Sequence, residues 1–233
     1  MDVNVSEIFS SIGIDRDYSK FDFTDYELDL QGWGSRKKVF NRVISAVRPK
    51  LIIEVGTWKG ASAAYMLEIC KELQIDAQVI CIDTWLGSND VMWTNPAFRS
   101  SLKLVGGYPT IFKQFIYNMT KLDLMNSVFP LPMTSSAAYY LLRGFKIQAD
   151  LIYIDAGHEH DEVLMDLNYY FELLRPGGIM FGDDYSNAWP GVISAVNKFA
   201  SDRGLLLEAG NGKFAISKSE VRKKKKPVVI PQV

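Results

Sequence analysis

The feature that most constrains this chain is an alternation of short apolar runs with segments of helical spacing. LIIEV (51–55), AQVICID (77–83), SVFPLPM (127–133), ADLIYIDAGH (149–158) and GIMFGDD (178–184) are the runs, the third limited by its prolines. A run of four to eight apolar residues with no polar alternation reads as a strand buried on both faces. Strands of that kind joined by helices make a doubly wound, mostly parallel sheet with helices on both sides. The expected class is therefore α/β with a Rossmann-like sheet, and ligands are expected beyond the carboxyl ends of the strands.

The intervening segments support that order. Apolar spacing predicts helices over 36–47, 64–73, 110–121, 136–145 and 162–174, the last stopped by Arg175-Pro176-Gly177-Gly178, and another from Pro190 to Gly204. LLLEAG and KFAISKS around Asn211-Gly212 predict a closing hairpin. Residues 85–107 mix turn formers with aromatics and read as a long loop or insertion. Residues 1–30 show no periodicity and form an N-terminal extension; 31–218 read as one domain. From 219 to 233 the chain carries KKKK (223–226) and two prolines, a basic tail expected to be disordered.

Composition narrows the function. With 233 residues and 48% hydrophobic content the chain supports one sizeable core, and 26 basic against 27 acidic side chains give no global field for nucleic acid or a membrane surface. The basic tail alone offers a contact for nucleic acid, anionic lipid or an import receptor, and a solvated end is the preferred reading. No run approaches the ~20 apolar residues of a membrane span, and the N-terminus has no signal-peptide pattern, so a cytoplasmic setting is expected. Cys70 and Cys81 sit on a helix and a strand and read as reduced core residues. Self-association, as a homo-oligomer, stays open.

The stretch IIEVGTWKGAS (52–62) follows the first strand. Gly56 permits a sharp turn there, Gly60 allows close backbone approach, and Ala61 and Ser62 pack the helix start. Asp83 ends the next strand, 23 residues beyond Gly60, where an acid can accept hydrogen bonds from both hydroxyls of a ribose. The alternative is an ordinary strand-to-helix turn. The pattern is neither GxGxxG nor a Walker A loop, so phosphate cradling is disfavoured. An acid at the strand end, Glu54, suits a ligand bearing an ammonium and a positive centre, and S-adenosylmethionine fits that description.

A second constellation follows the fourth and fifth runs. YIDAGHEHDE (153–162) and MFGDDYS (180–186) bring Asp155, His158, Asp183 and Asp184 to neighbouring strand ends. Clustered carboxylates repel, and a hard divalent ion such as Mg²⁺ relieves that repulsion and binds substrate oxygens. His158 is the candidate general base. Glu159, Asp161 and Glu162 are better explained as acids favouring a helix start, and His160 as a solvated or helix-entry residue.

Taken together, GWGS (32–35), KLIIEVGTWKGAS (50–62), VICIDTWLGS (79–88), LIYIDAGHEHDEV (151–163) and LRPGGIMFGDDY (174–185) resemble the class I S-adenosylmethionine-dependent methyltransferases. Within them the match is to the small-molecule O-methyltransferase branch that includes macrocin-type sugar methyltransferases and cephalosporin hydroxylase-like proteins. The segments occur in the family's order and cover most of the chain from Gly32 to Phe199. The resemblance implies a seven-stranded sheet with an antiparallel last strand. It implies that Glu54, Gly56 and Gly60, with Thr57 and Ser62 beside them, surround the methionine part of the cofactor. Asp83 would hold the ribose, Ser135 or Ser136 would lie near the adenine, and Asp155 would border the same site. In metal-dependent relatives the acid after the fourth strand and the acid pair after the fifth bind Mg²⁺, which carries over onto Asp155, Asp183 and Asp184. Relatives with Glu-Asp or Asp-Asn at the pair differ from the Asp-Asp here, which leaves Mn²⁺ as a second metal.

The leading expectation is a Mg²⁺-dependent O-methyltransferase acting on a hydroxyl of a small molecule, a sugar or glycan-related acceptor among the candidates. The aromatic loop from Trp85 to Trp93 is expected as a lid, with Trp33 and Trp189 as further walls. The alternatives are a metal-dependent oxygenase or hydrolase on the same acids, and a non-catalytic S-adenosylmethionine-binding regulator. Nucleic-acid and membrane partners are not expected.

Overall fold

The structure is a computed structural model that describes residues 5–14, 16–88 and 91–219. The run KKKK and all of the 219–233 tail beyond Ser219 lie outside the described residues. Seven strands, β1 (Leu51–Val55), β2 (Gln78–Asp83), β3 (Val128–Pro132), β4 (Ala149–Ile154), β5 (Leu174–Tyr185), β6 (Leu207–Gly210) and β7 (Gly212–Ser217), form one sheet in the order β3-β2-β1-β4-β5-β7-β6. β1 to β5 pair in parallel, while β7 runs antiparallel to both β5 and β6. The doubly wound sheet read from the sequence is the sheet of the structure.

Alternate strand residues face opposite layers, as the two-residue period of a strand requires. Ile53, Ile80 and Ile152 pack with α7 (Ser135–Gly144), α8 (His160–Leu173) and α9 (Pro190–Arg203). Ile52, Val79 and Leu151 pack with α2 (Lys38–Val47), α3 (Ala61–Glu72) and α6 (Ile111–Lys121). Each such fully buried aliphatic side chain contributes roughly 1.5–3 kcal/mol relative to exposure. Cys70 and Cys81 are both free and buried, as their positions predicted.

Three segments differ from the reading of the sequence. The extension begins with α1 (Val5–Ser11), whose Val5 and Phe9 are buried, and Phe9 meets Phe129 edge to face at 5.4 Å. Tyr18, Phe21, Phe23 and Leu30 pack onto the α2/α3/α6 layer, so lack of periodicity there reflects irregular chain, not lack of packing. The insertion contains two single-turn pieces, α4 (Val91–Thr94) and α5 (Pro96–Arg99), the latter capped by Asn95 accepting from the Ala97 N–H at 3.0 Å. Finally, Arg175-Pro176-Gly177-Gly178 lies inside β5: Leu174 pairs with Ala149, and after the bulge Ile179 pairs with Leu151. Gly177 N–H and Gly178 C=O bond to Lys218 at 2.8 and 2.9 Å, so the turn formers make a bulge within the ladder and not a gap before it.

Candidate active site

The loop after β1 turns where Gly56 has φ 83°, and a Cβ there would collide with the Asp155 carbonyl. Gly56 therefore allows the loop to cross against the end of β4. Gly60, at φ 87°, faces Phe115 and Met119 of α6, so its freedom serves helix packing and not ligand approach. Glu54 lies beneath the loop, fully buried, bonded by the Thr57 and Ser62 hydroxyls and at 3.7 Å by the Cys81 thiol. Burial pushes its carboxyl up to about 7 against those bonds. Glu54 thus braces the loop from inside.

Asp83, at the end of β2, ties the loops after β1 and β2 together. Its Oδ2 accepts from the backbone N–H of Thr57 (3.1 Å) and Trp58 (2.8 Å), and its Oδ1 from Trp85 N–H (2.7 Å). Burial raises its pKa and the backbone N–H groups lower it. Trp58 and Trp85 both hold left-handed backbone, φ 49° and 53°, which costs of order 1–3 kcal/mol each unless neighbours fix it. Asp83 is that neighbour.

A cavity of about 670 Å³ opens along the carboxyl ends of β1 to β5, within the range of ordinary small-molecule sites. Its wall includes Gly56, Thr57, Ser62, Asp83, Ser135, Ser136, Asp155, His158, Asp183 and Asp184. Of the residues the sequence nominated, Glu54 and Gly60 are outside this wall for the reasons above. Trp33 and Trp189 line it, as does Trp58. Trp85 does not belong to a lid: it is 2% exposed and packs on Phe112 and Phe115 at 4.8 and 5.1 Å. The insertion reaches the cavity through Gly87, Ser88, Met92 and Phe98, so its smaller side chains form the mouth where its tryptophans were expected.

At the β4/β5 edge each acid has its own partner. Asp184, at φ 60°, accepts or shares a hydrogen bond with His158 Nε2 at 2.9 Å, and Trp189 stacks on the imidazole at 3.9 Å and 17°. Asp183 Oδ1 accepts its neighbour's N–H at 2.8 Å and its Oδ2 takes the ammonium of Lys213, which is 3% exposed. Lys213 also reaches the Tyr153 hydroxyl at 2.9 Å, and that hydroxyl lies 3.0 Å from Asp155 Oδ2 and 3.3 Å from Asp183 Oδ2. Burial, then Asp183 beside it, holds Asp155 well above the usual carboxylate range; burial also raises Asp183, against the pull of Lys213. Among the described residues no group of three or more His, Cys, Asp or Glu side chains is arranged to hold a metal.

Sequence reasoning missed three residues here. Lys213 and Tyr153 are silent in a linear pattern because one is on the antiparallel β7 and the other reads as an apolar strand residue. Asp166, on α8, lines the cavity beside Ser135; an acid one helical turn after Glu162 gave no signal of that.

Comparison with known proteins agrees with this architecture. Residues 53–185 match the family model described as a methyltransferase domain. An uncharacterized protein of Acanthamoeba polyphaga mimivirus is 27% identical over 172 residues, covering 72% of this chain; the chain spans 65% of that relative's length. Among solved structures the O-methyltransferase NovP superposes with a TM-score of 0.59 at 18% identity, covering 80% of each chain. An O-methyltransferase from Bacillus cereus in complex with SAH gives 0.57 at 14% identity, covering 82% of this chain and 84% of that one. TomG from Streptomyces achromogenes, in complex with SAM, gives 0.54 at 14%, covering 82% and 83%. Among the described residues no helix is long and apolar enough to cross a membrane. The glycine-turned loop, the acid ending β2 and the matched span together make this chain a member of the methyltransferase-domain family, on the class I S-adenosylmethionine-dependent fold.

Proposed function

We propose that the protein transfers the methyl group of S-adenosylmethionine to a hydroxyl of a small molecule, with a sugar or glycan-related acceptor among the candidates. The observation that carries this is the continuity of one cavity from Asp83, past Gly56 and Thr57, to His158 and Asp184. That span has a ribose acceptor at one end and a base with its orienting acid at the other. The neighbours named as O-methyltransferases support the same reading.

In this reading the Asp83 carboxylate accepts from the ribose hydroxyls and the loop at Gly56–Thr57 runs beside the methionine part, which directs the methyl towards His158. The imidazole of His158, oriented through Nε2 by Asp184, is the base. It takes the acceptor's hydroxyl proton as the oxygen attacks the methyl carbon and the carbon–sulfur bond breaks. The sulfonium loses its charge, and the products are a methyl ether and neutral S-adenosylhomocysteine. Trp189 holds the ring plane, while Trp33, Met92 and Phe98 offer apolar faces that exclude water and stack on a flat or pyranose acceptor.

Mg²⁺, with Mn²⁺ next, is the metal assigned to Asp155, Asp183 and Asp184. The donor set is all oxygen, and Asp183 is among the causes that raise the Asp155 carboxyl, a repulsion that a divalent ion would relieve, although Lys213 already takes Asp183. Such an ion, when bound, lowers the pKa of an acceptor hydroxyl.

The test is transfer from methyl-labelled S-adenosylmethionine to a panel of sugars, glycosides and phenols, with added Mg²⁺ and with a chelator. The proposal expects an alkali-stable methyl ether that the chelator suppresses. Label found on protein or nucleic acid in place of the panel would overturn the acceptor class, and full transfer under chelation would overturn the metal.

A further inference from the structure

We propose that Asp166 is a specificity-determining residue that reads the amino group of the cofactor's adenine, an inference that rests on the S-adenosylmethionine reading above. Asp166 is 3% exposed, on the face of α8 turned to the cavity, beside Met165 and near Ser135. The Ser135 hydroxyl bonds its carboxyl, yet among the described residues its Oδ1 is buried without a hydrogen-bond partner. A buried acceptor left in that state costs roughly 1–3 kcal/mol, and buried polar atoms are paired in the large majority of cases. An orphaned acceptor in the wall of a ligand cavity calls for a donor on the ligand.

Its position selects which donor. Ser135 opens α7 directly after β3, and β3 lies beyond β2, whose last residue is the ribose acid Asp83. The cavity end bounded by Ser135, Ser136 and Asp166 is therefore the one a base attached to that ribose reaches, away from His158 and Asp184. Met133 and Met165 line the same end and give polarizable apolar faces to a flat ring. The hydrogen-bonding edge of adenine carries an N6–H donor beside the N1 acceptor. A carboxylate accepts from the first, and a carboxylic acid can also donate to the second. Burial pushes the Asp166 carboxyl up to about 7, against the pull of the Ser135 bond, consistent with a group short of donors until a base arrives. Where the Asp166 carboxyl is ionised, a hypoxanthine ring, which presents a carbonyl oxygen in place of the amino group, would set two acceptors against each other.

The experiment is calorimetric titration of S-adenosylhomocysteine and of S-inosylhomocysteine into the parent protein, Asp166→Asn, Asp166→Ala and Asp83→Ala, with circular dichroism to check folding. The parent should prefer the adenosyl compound by about tenfold or more. Asp166→Asn, near-isosteric and able to donate to a carbonyl, should bring the two within about threefold, and Asp166→Ala should do the same by loss of the adenosyl affinity. Asp83→Ala should weaken both compounds and keep the ratio. If folded Asp166→Asn and Asp166→Ala both retain the parent's preference, Asp166 does not read the base. If the parent binds neither compound, the cofactor reading itself is overturned, and this assignment with it.

Discussion

At the His158 end of the cavity the carboxylates come with partners from the protein: Lys213 for Asp183, Tyr153 for Asp155, and His158 for Asp184. At the other end Asp166 has the Ser135 hydroxyl and an unpaired oxygen. Both ends bury acids, but only the first supplies a permanent countercharge. The difference teaches that the fold itself organises the acids of the His158 edge, whereas in the proposed reading the Asp166 end completes its hydrogen bonding with ligand. Preorganisation of charge is where enzymes gain most rate, and an unpaired acceptor is where they gain discrimination.

The sharpest way to break the comparison is to remove the countercharge. Lys213→Met should leave Asp183 buried and uncompensated and destabilise the fold by about 3–5 kcal/mol, read as a shift in the urea midpoint. A loss within ~0.5 kcal/mol, the scale of an ordinary surface change, would mean that the edge is solvated and not organised by Lys213. Next in size, His158→Gln should lower the rate of methyl transfer by about a hundredfold or more while S-adenosylhomocysteine binds as to the parent. Equal loss of binding would place His158 in the cofactor site and merge the two ends.

A smaller effect addresses the Asp166 end alone. Its carboxyl is raised from 3.8 to about 7 in the fold. Below the unfolded value both states are protonated and this group's stabilising contribution is fully present. As the pH rises, the unfolded chain ionises first, and the contribution is lost through about 7. Glu54, raised from 4.5 to about 7 by burial, acts in the same direction. The melting temperature should therefore fall between pH 5 and pH 8, and Asp166→Asn should flatten part of that fall, gaining on the order of 2 kcal/mol over the parent at pH 8. An unchanged slope would show that Asp166 is solvated in the folded protein.

The sequence made the frame legible because its signals are local. Five apolar runs place five parallel strands, and Asn211-Gly212, at φ 54° and 78°, closes the hairpin that carries β7. The acids at strand ends follow from the same rule, so Asp83, Asp155, Asp183, Asp184 and His158 all reach the cavity. Glu54 and Gly60 lie outside the cavity wall: proximity along the chain to a loop does not say which side of the loop faces the cavity. Trp85 lies outside it likewise, since an aromatic in an insertion is as able to anchor the insertion as to cover a substrate. Lys213 and Asp166 were out of reach because each meets its partners across tens of residues, through the pairing of β7 with β5 and the packing of α8 beside α7.

The most direct measurement of the central claim is titration of S-adenosylmethionine into the parent, Asp83→Ala and His158→Gln at neutral pH. The account predicts binding to the parent and to His158→Gln with similar affinity, and a loss of about a hundredfold for Asp83→Ala, which gives up the ribose acceptor and the anchor of both loops. Parent protein that ignores S-adenosylmethionine, or Asp83→Ala that binds it as the parent does, would contradict the account.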